Sequence, residues 1–144
     1  MKKLLILTAL IVFVGSLSAQ TSIAKINETN PPANPNAPKA TWDKTINDFG
    51  EIAQGIPRTA EFVLVNDGKE PLLIQSARAS CGCTNLKYSQ EPILKRKSTV
   101  ISVTYNAAAL GPFTKTITVT TNADPNPVVL QIKGTVIAKK EEPK

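Results

Sequence analysis

Phe113-Thr114-Lys115-Thr116-Ile117-Thr118-Val119-Thr120 is the stretch that settles the fold class. Phe113, Ile117 and Val119 fall on one side of an extended chain, while threonines fill the other. A side-chain period of two in β-branched residues predicts a half-buried strand. The next run, Val128 to Val136, repeats the pattern, with Val128, Leu130, Ile132 and Val136 set against Gln131, Lys133 and Thr135. Upstream, Ile101, Val103 and Tyr105 alternate with Ser102 and Thr104, and Ala60, Phe62 and Leu64 form a fourth set. Leu72 with Ile74 opens a fifth strand, Trp42 to Phe49 reads as the first, and Thr84 to Tyr88 as a short one.

Turn chemistry separates these runs. Asn66-Asp67-Gly68-Lys69 reads as a hairpin-type turn, because Asp and Gly tolerate positive φ. Gly50, Gly55-Ile56-Pro57, Gly111-Pro112 and Asn122-Ala123-Asp124-Pro125 break the chain elsewhere. About seven short strands with turns every eight to twelve residues predict an all-β, immunoglobulin-like antiparallel sandwich. A small closed barrel is the alternative, since strand number alone does not decide closure.

The flanks differ in composition. Lys2 and Lys3, the apolar run Leu4 to Val14 and the small residues up to Ala19 read as a secretory signal peptide over residues 1–19. That apolar run is shorter than the roughly 20 residues of a membrane span, so no stable span is expected after cleavage. Residues 20–40, rich in Pro and Asn, read as a linker, residues 41–138 as the folded domain and 139–144 as a polar tail. Localisation is therefore expected to be periplasmic or extracellular. Loss of Lys2 and Lys3 leaves 15 of the 17 basic residues against 11 acidic ones, a formal charge of +4. No aromatic flanks the densest cluster, Lys95-Arg96-Lys97, so it reads as a solvated turn and no nucleic-acid partner is expected.

The chain has no histidine. Ser-His-Asp and Cys-His nucleophile activation are therefore impossible within it. Asp43, Asp48, Glu51 and Glu61 show no spacing that predicts a paired-carboxylate site. No catalytic residues, cofactor or small-molecule substrate are expected. Two cysteines cannot complete a four-ligand zinc site.

The unusual feature is Ser80-Cys81-Gly82-Cys83-Thr84. On an extended chain, residues two apart have Cα atoms about 6.6–7.2 Å apart, at the limit for a disulfide. A Cys81–Cys83 bond needs a bend, and Gly82 is the residue expected to permit it, with Ser80 and Thr84 completing the turn. Three readings stand side by side: a local staple or packed thiols, a redox-active pair, and a dithiolate for a soft metal such as Cu(I).

Asn47-Asp48-Phe49-Gly50-Glu51-Ile52, Phe62 to Asn66 with Gly68, Glu70-Pro71-Leu72, Ala79-Ser80-Cys81-Gly82-Cys83-Thr84, Gly111-Pro112-Phe113 and Ile117 to Ala123 together carry a resemblance. The chain resembles the bacterial Domain of Unknown Function 1573 family over Trp42 to Ile137. Those domains are similar to the PapD-like, major-sperm-protein-like and ASH/Hydin immunoglobulin-fold group. The resemblance implies a sandwich in an exported bacterial protein, and no binding residues. One departure is visible: the family usually has a Pro-Gly-type turn where Leu94-Lys95-Arg96-Lys97 stands here.

The expected function is a noncatalytic module that binds another envelope protein through a sheet edge, since an exposed edge accepts an extended peptide. The last strand is the edge expected to do so, with Gln131 and Lys133 as the outward positions where proline would block it. The alternative is a redox or copper-handling accessory protein working through Cys81 and Cys83.

Overall fold

The alternating runs pair into two four-stranded sheets in the computed structural model, which describes residues 34–139. The expected signal peptide, most of the linker and nearly all of the polar tail lie outside the described residues. The strands are β1 (Ala40–Trp42), β2 (Ile46–Ala53), β3 (Arg58–Asn66), β4 (Ile74–Ala79), β5 (Thr84–Lys87), β6 (Ser98–Tyr105), β7 (Gly111–Thr121) and β8 (Val128–Ile137). One sheet runs β1-β3-β6-β5 and the other β2-β8-β7-β4. Two separate layers make this a sandwich and not a closed barrel.

Each sheet turns its apolar side inward, because stripes that leave water gain most when they cover one another. Phe62, Leu64, Ile101 and Val103 from one sheet and Ile117, Leu130 and Ile132 from the other are fully buried. Burial of such a side chain is worth about 1.5–3 kcal/mol. Tyr105 stacks on Phe113 across the layers, with ring centroids 4.2 Å apart.

The expected first strand, Trp42 to Phe49, is two strands in different sheets. The reason is Asp43. Its amide donates to the Val63 carbonyl at 3.1 Å, and its carboxylate Oδ1 accepts from the Val63 amide at 2.8 Å. A side chain thus takes the place of the ladder carbonyl, and the chain leaves β3 to lie parallel to β8, from Ile46 opposite Gln131 to Ala53 opposite Ile137. The strand expected to open at Leu72 begins at Ile74 instead. Leu72 forms an isolated bridge with Ile93, each amide donating to the other's carbonyl.

Asn66 to Lys69 is not a hairpin turn. It carries the chain from β3 in one sheet towards β4 in the other. Neither Asp67 nor Gly68 has positive φ. What shapes the crossing is the carboxamide of Asn66, a residue with 0% exposure. Its Nδ2 donates to the carbonyls of Glu70 and Ile93, both at 2.8 Å, and its Oδ1 accepts from Gly68 at 2.9 Å and Lys39 at 3.3 Å. Both donor and both acceptor positions of the amide are filled. Gly68 is needed for close approach, since a Cβ there would lie 2.3 Å from the Ala37 carbonyl oxygen and 2.5 Å from the Lys39 amide nitrogen.

The turn that departs from the family pattern, Leu94 to Lys97, closes with the Lys97 amide donating to the Leu94 carbonyl at 2.9 Å. Arg96 occupies its third position at φ 59°, a left-handed conformation that favours glycine.

Two outcomes follow for stability. Asn66→Ala strands several buried backbone groups and is expected to lower the unfolding free energy by about 3 kcal/mol. It would be read as a drop in denaturant midpoint, and an unchanged midpoint would contradict the role given to Asn66. Arg96→Gly relieves the left-handed backbone and is expected to stabilise by about 1 kcal/mol, whereas Arg96→Val destabilises. A lower midpoint for the glycine variant would count against the assigned turn.

Candidate functional site

Strand β4 ends because Ser80 takes over the pairing. Its amide donates to the Thr116 carbonyl at 2.9 Å, while its Oγ accepts from the Thr116 amide at 3.1 Å. The chain then leaves β7 and turns. The Thr84 amide donates to the Cys81 carbonyl at 3.4 Å, closing a four-residue turn over Gly82 and Cys83. Cys81 and Cys83 are joined by a disulfide, with Cα atoms 5.4 Å apart, well inside the extended spacing.

The bend does not use the special freedom of glycine. Gly82 lacks positive φ, and a Cβ there would meet nothing within 4 Å. Gly82 sits in the bend where it was expected, and an ordinary turn, closed by backbone hydrogen bonding, brings the sulfurs together.

Thr84 opens β5 opposite Tyr105 and is nine-tenths buried. Its Oγ1 lies 3.5 Å from Cys81 Sγ and 3.9 Å from Cys83 Sγ. A sulfur in a disulfide carries no proton, so the hydroxyl is the donor. The Cys83 carbonyl accepts from the Asn106 amide at 3.2 Å. Cys83 is half-buried and packs against the core, whereas Cys81 is half-buried without that contact. The structure therefore gathers Ser80, Cys81, Cys83 and Thr84 in one turn, with Gly82 at its exposed tip. Thr116 and Asn106, which fix its two ends, lie 36 and 23 residues from Ser80 and Cys83 in the chain. No local signal could have identified them.

Asp43, Asp48, Glu51 and Glu61 do not meet in one site, and only Asp48 and Glu51 share a groove. Asp43 is engaged by Val63, and Glu61 stands on β3 opposite Ser102. Asp48 and Glu51 line an open groove on the β2-β8-β7 face together with Lys133. The Gly50 amide donates to Asp48 at 2.8 Å and holds its carboxyl below the usual carboxylate range, with Lys133 at 3.4 Å acting in the same direction. Among the described residues no group of three or more His, Cys, Asp or Glu side chains converges to hold a metal.

The last strand is not an edge. β8 lies between β2 and β7, so Gln131 faces Ile46 on one side and Thr116 on the other. Proline at Gln131 or Lys133 would damage the sheet itself. The outer strands are β1 and β5 in one sheet, β2 and β4 in the other. The disulfide turn joins two of them, β4 and β5.

The match to the DUF1573 family, described as protein of unknown function, spans residues 40–136. That interval runs from the first residue of β1 to the next-to-last residue of β8. The chain belongs to the DUF1573 family. No curated protein matches it in sequence. Among solved structures it is similar to a protein of unknown function from Porphyromonas gingivalis W83, with TM-score 0.60, 17% identity, and coverage of 74% of this chain and 51% of that one. The DUF1573 chain thus spans about half the length of that protein. The ASH/PapD-like domain 7 of human CEP192 gives TM-score 0.59 at 14% identity, covering 76% of this chain and 93% of that one. A family 123 glycoside hydrolase from Clostridium perfringens gives 0.58 at 11%, covering 72% of this chain and 27% of that one. At these identities the likenesses show the fold alone: an immunoglobulin-like, PapD-like sandwich.

A disulfide that closes a three-residue loop restrains the unfolded chain by only about 1.5 kcal/mol. The Cys81→Ser, Cys83→Ser double variant is therefore expected to fold, with a loss of about that size in a denaturant titration. Gly82→Ala should be neutral or stabilise by up to about 1 kcal/mol. A collapse of the fold in either variant would contradict this description of the turn.

Proposed function

We propose that this chain is an exported bacterial envelope module that holds an extended segment of another protein against the free side of β4. It is a binding domain and not a hydrolase or transferase. The observation that carries the reading is the β4 edge. Among the described residues no strand pairs with the outer side of Ile74–Ala79, and the strand bears the small side chains Ser76, Ala77 and Ala79. Because Ser80 bonds to Thr116, the antiparallel alternation directs Arg78 and Ser76 to β7 and leaves the Ala77 and Ala79 backbone groups facing outward. Unpaired backbone donors and acceptors on an edge are what an added strand satisfies.

Export is supported by the charged, apolar and small-residue succession from Lys2 to Ala19, and by a disulfide, which persists in oxidising compartments. A noncatalytic role is supported by a sequence without histidine, which offers no imidazole for acid–base chemistry.

Ala77→Pro tests the reading, since proline removes an outward donor and is tolerated on an edge strand. In-cell crosslinking with the wild-type chain is expected to recover a protein partner that is lost with Ala77→Pro, while the thermal midpoint moves by only a few degrees. Recovery of the same partner by the proline variant, or of none by the wild type, would overturn it.

A further inference from the structure

We propose that the Cys81–Cys83 bond is a thiol–disulfide exchange site that trades electrons with a protein dithiol, and not a structural staple. This goes beyond the binding role proposed above and does not depend on it.

Four observations converge. The turn is pinned without the sulfur bond, by the Ser80–Thr116 pair, by Thr84 to Cys81, and by Asn106 to Cys83. Reduction can therefore leave the backbone in place. The bond closes over a single intervening residue, and so small a loop constrains the unfolded chain little. Both cysteines are partly exposed, in a turn between two edge strands where another protein can reach them. Finally, the Thr84 hydroxyl belongs to a nine-tenths buried residue, and its only partners among the described residues are the two sulfurs. A hydroxyl aimed at sulfur stabilises a thiolate there more than it does a disulfide, because hydrogen bonds to charged acceptors are stronger.

The asymmetry of the pair assigns the steps. Cys83 packs against the core and Cys81 does not. A thiolate of the partner dithiol attacks Cys81 Sγ, forming a mixed disulfide and breaking the Cys81–Cys83 bond. The released electron pair stays on Cys83 Sγ, which takes a proton from water. The partner's second thiolate then attacks the partner's own sulfur in the mixed disulfide, and Cys81 leaves as the thiolate beside Thr84 Oγ1. Two electrons pass to this chain and the partner leaves oxidised. In the reverse direction Cys81 is the nucleophile and Cys83 resolves the mixed disulfide. Thr84 is a positioning residue that acts through Cys81.

The test equilibrates the full chain with graded mixtures of reduced and oxidised glutathione, followed by alkylation and mass measurement. The pair is expected to pass from oxidised to reduced within that range, with an unchanged far-ultraviolet circular dichroism spectrum. In the Cys83→Ser variant, oxidised glutathione should trap a mixed disulfide on Cys81 at least fivefold faster than on Cys83 in Cys81→Ser. Adding Thr84→Val to Cys83→Ser should raise the Cys81 thiol pKa, read from the pH dependence of alkylation, and Thr84→Ser should restore it. A pair that stays oxidised in excess glutathione, that reduces only in denaturant, or whose Cys81 titration ignores Thr84 overturns the proposal. Ala77→Pro should leave exchange unchanged, so failure of the binding reading and failure of this one can be told apart.

Discussion

Two sheets, each apolar on one side, must cover each other's inner faces, and the chain has to pass between them repeatedly without burying backbone groups unpaired. In this protein only β5–β6 and β7–β8 are consecutive strands that pair. Every other connection changes sheet. At three of these crossings a short polar side chain stands in for a missing backbone partner: Asp43 after β1, Asn66 at the end of β3 and Ser80 after β4. The Asn66 carboxamide ties three segments together at once, the chain entering β1, the β3–β4 crossing and Ile93 before β6. Such fully satisfied buried groups fix the path of the chain, because any other path would leave one of them unpaired in a low-dielectric interior.

The same constraint places the cysteines. A β4 that ended one residue later would keep Cys81 in an extended ladder, where two residues span too far for a disulfide. Ser80 ends the ladder, the chain bends, and the sulfurs meet. The turn also joins the two sheets at their margins, because β4 and β5 are both outer strands among the described residues. Proximity of a partly exposed disulfide to strand edges that are unpaired among the described residues is thus a consequence of topology and not of the cysteine motif alone.

Much of the sandwich could be read directly. Phe62, Leu64, Ile101, Val103, Ile117, Val119, Leu130 and Ile132 alternate in the chain and lie buried in the structure, since a period of two is a local property of extended backbone. The departures are equally specific. Trp42 to Phe49 alternates well enough to suggest one strand, yet Asp43 divides it. Asn66-Asp67-Gly68-Lys69 has hairpin composition, yet its glycine answers to a neighbouring segment some thirty residues upstream. At Leu94 to Lys97 the reverse holds: a turn lacking Pro-Gly forms all the same, with Arg96 held at positive φ. The Asn66 backbone hydrogen bonds with Arg96 and Lys97 hold it there.

Side-chain period, turn composition, absence of histidine and the spacing of two cysteines are properties of neighbours along the chain. The sequence alone therefore determined which residues of the long runs face inward, the layered β class, the lack of histidine chemistry and the position of the sulfur pair. Which strands are edges, what ends β4, and which hydroxyl faces the sulfurs depend on residues far apart in the chain, such as Ser80 with Thr116 and Cys83 with Asn106. Those pairings arise only when the two sheets close, so β8 became an interior strand and β4 an outer one. That closure is what placed the disulfide between two outer strands.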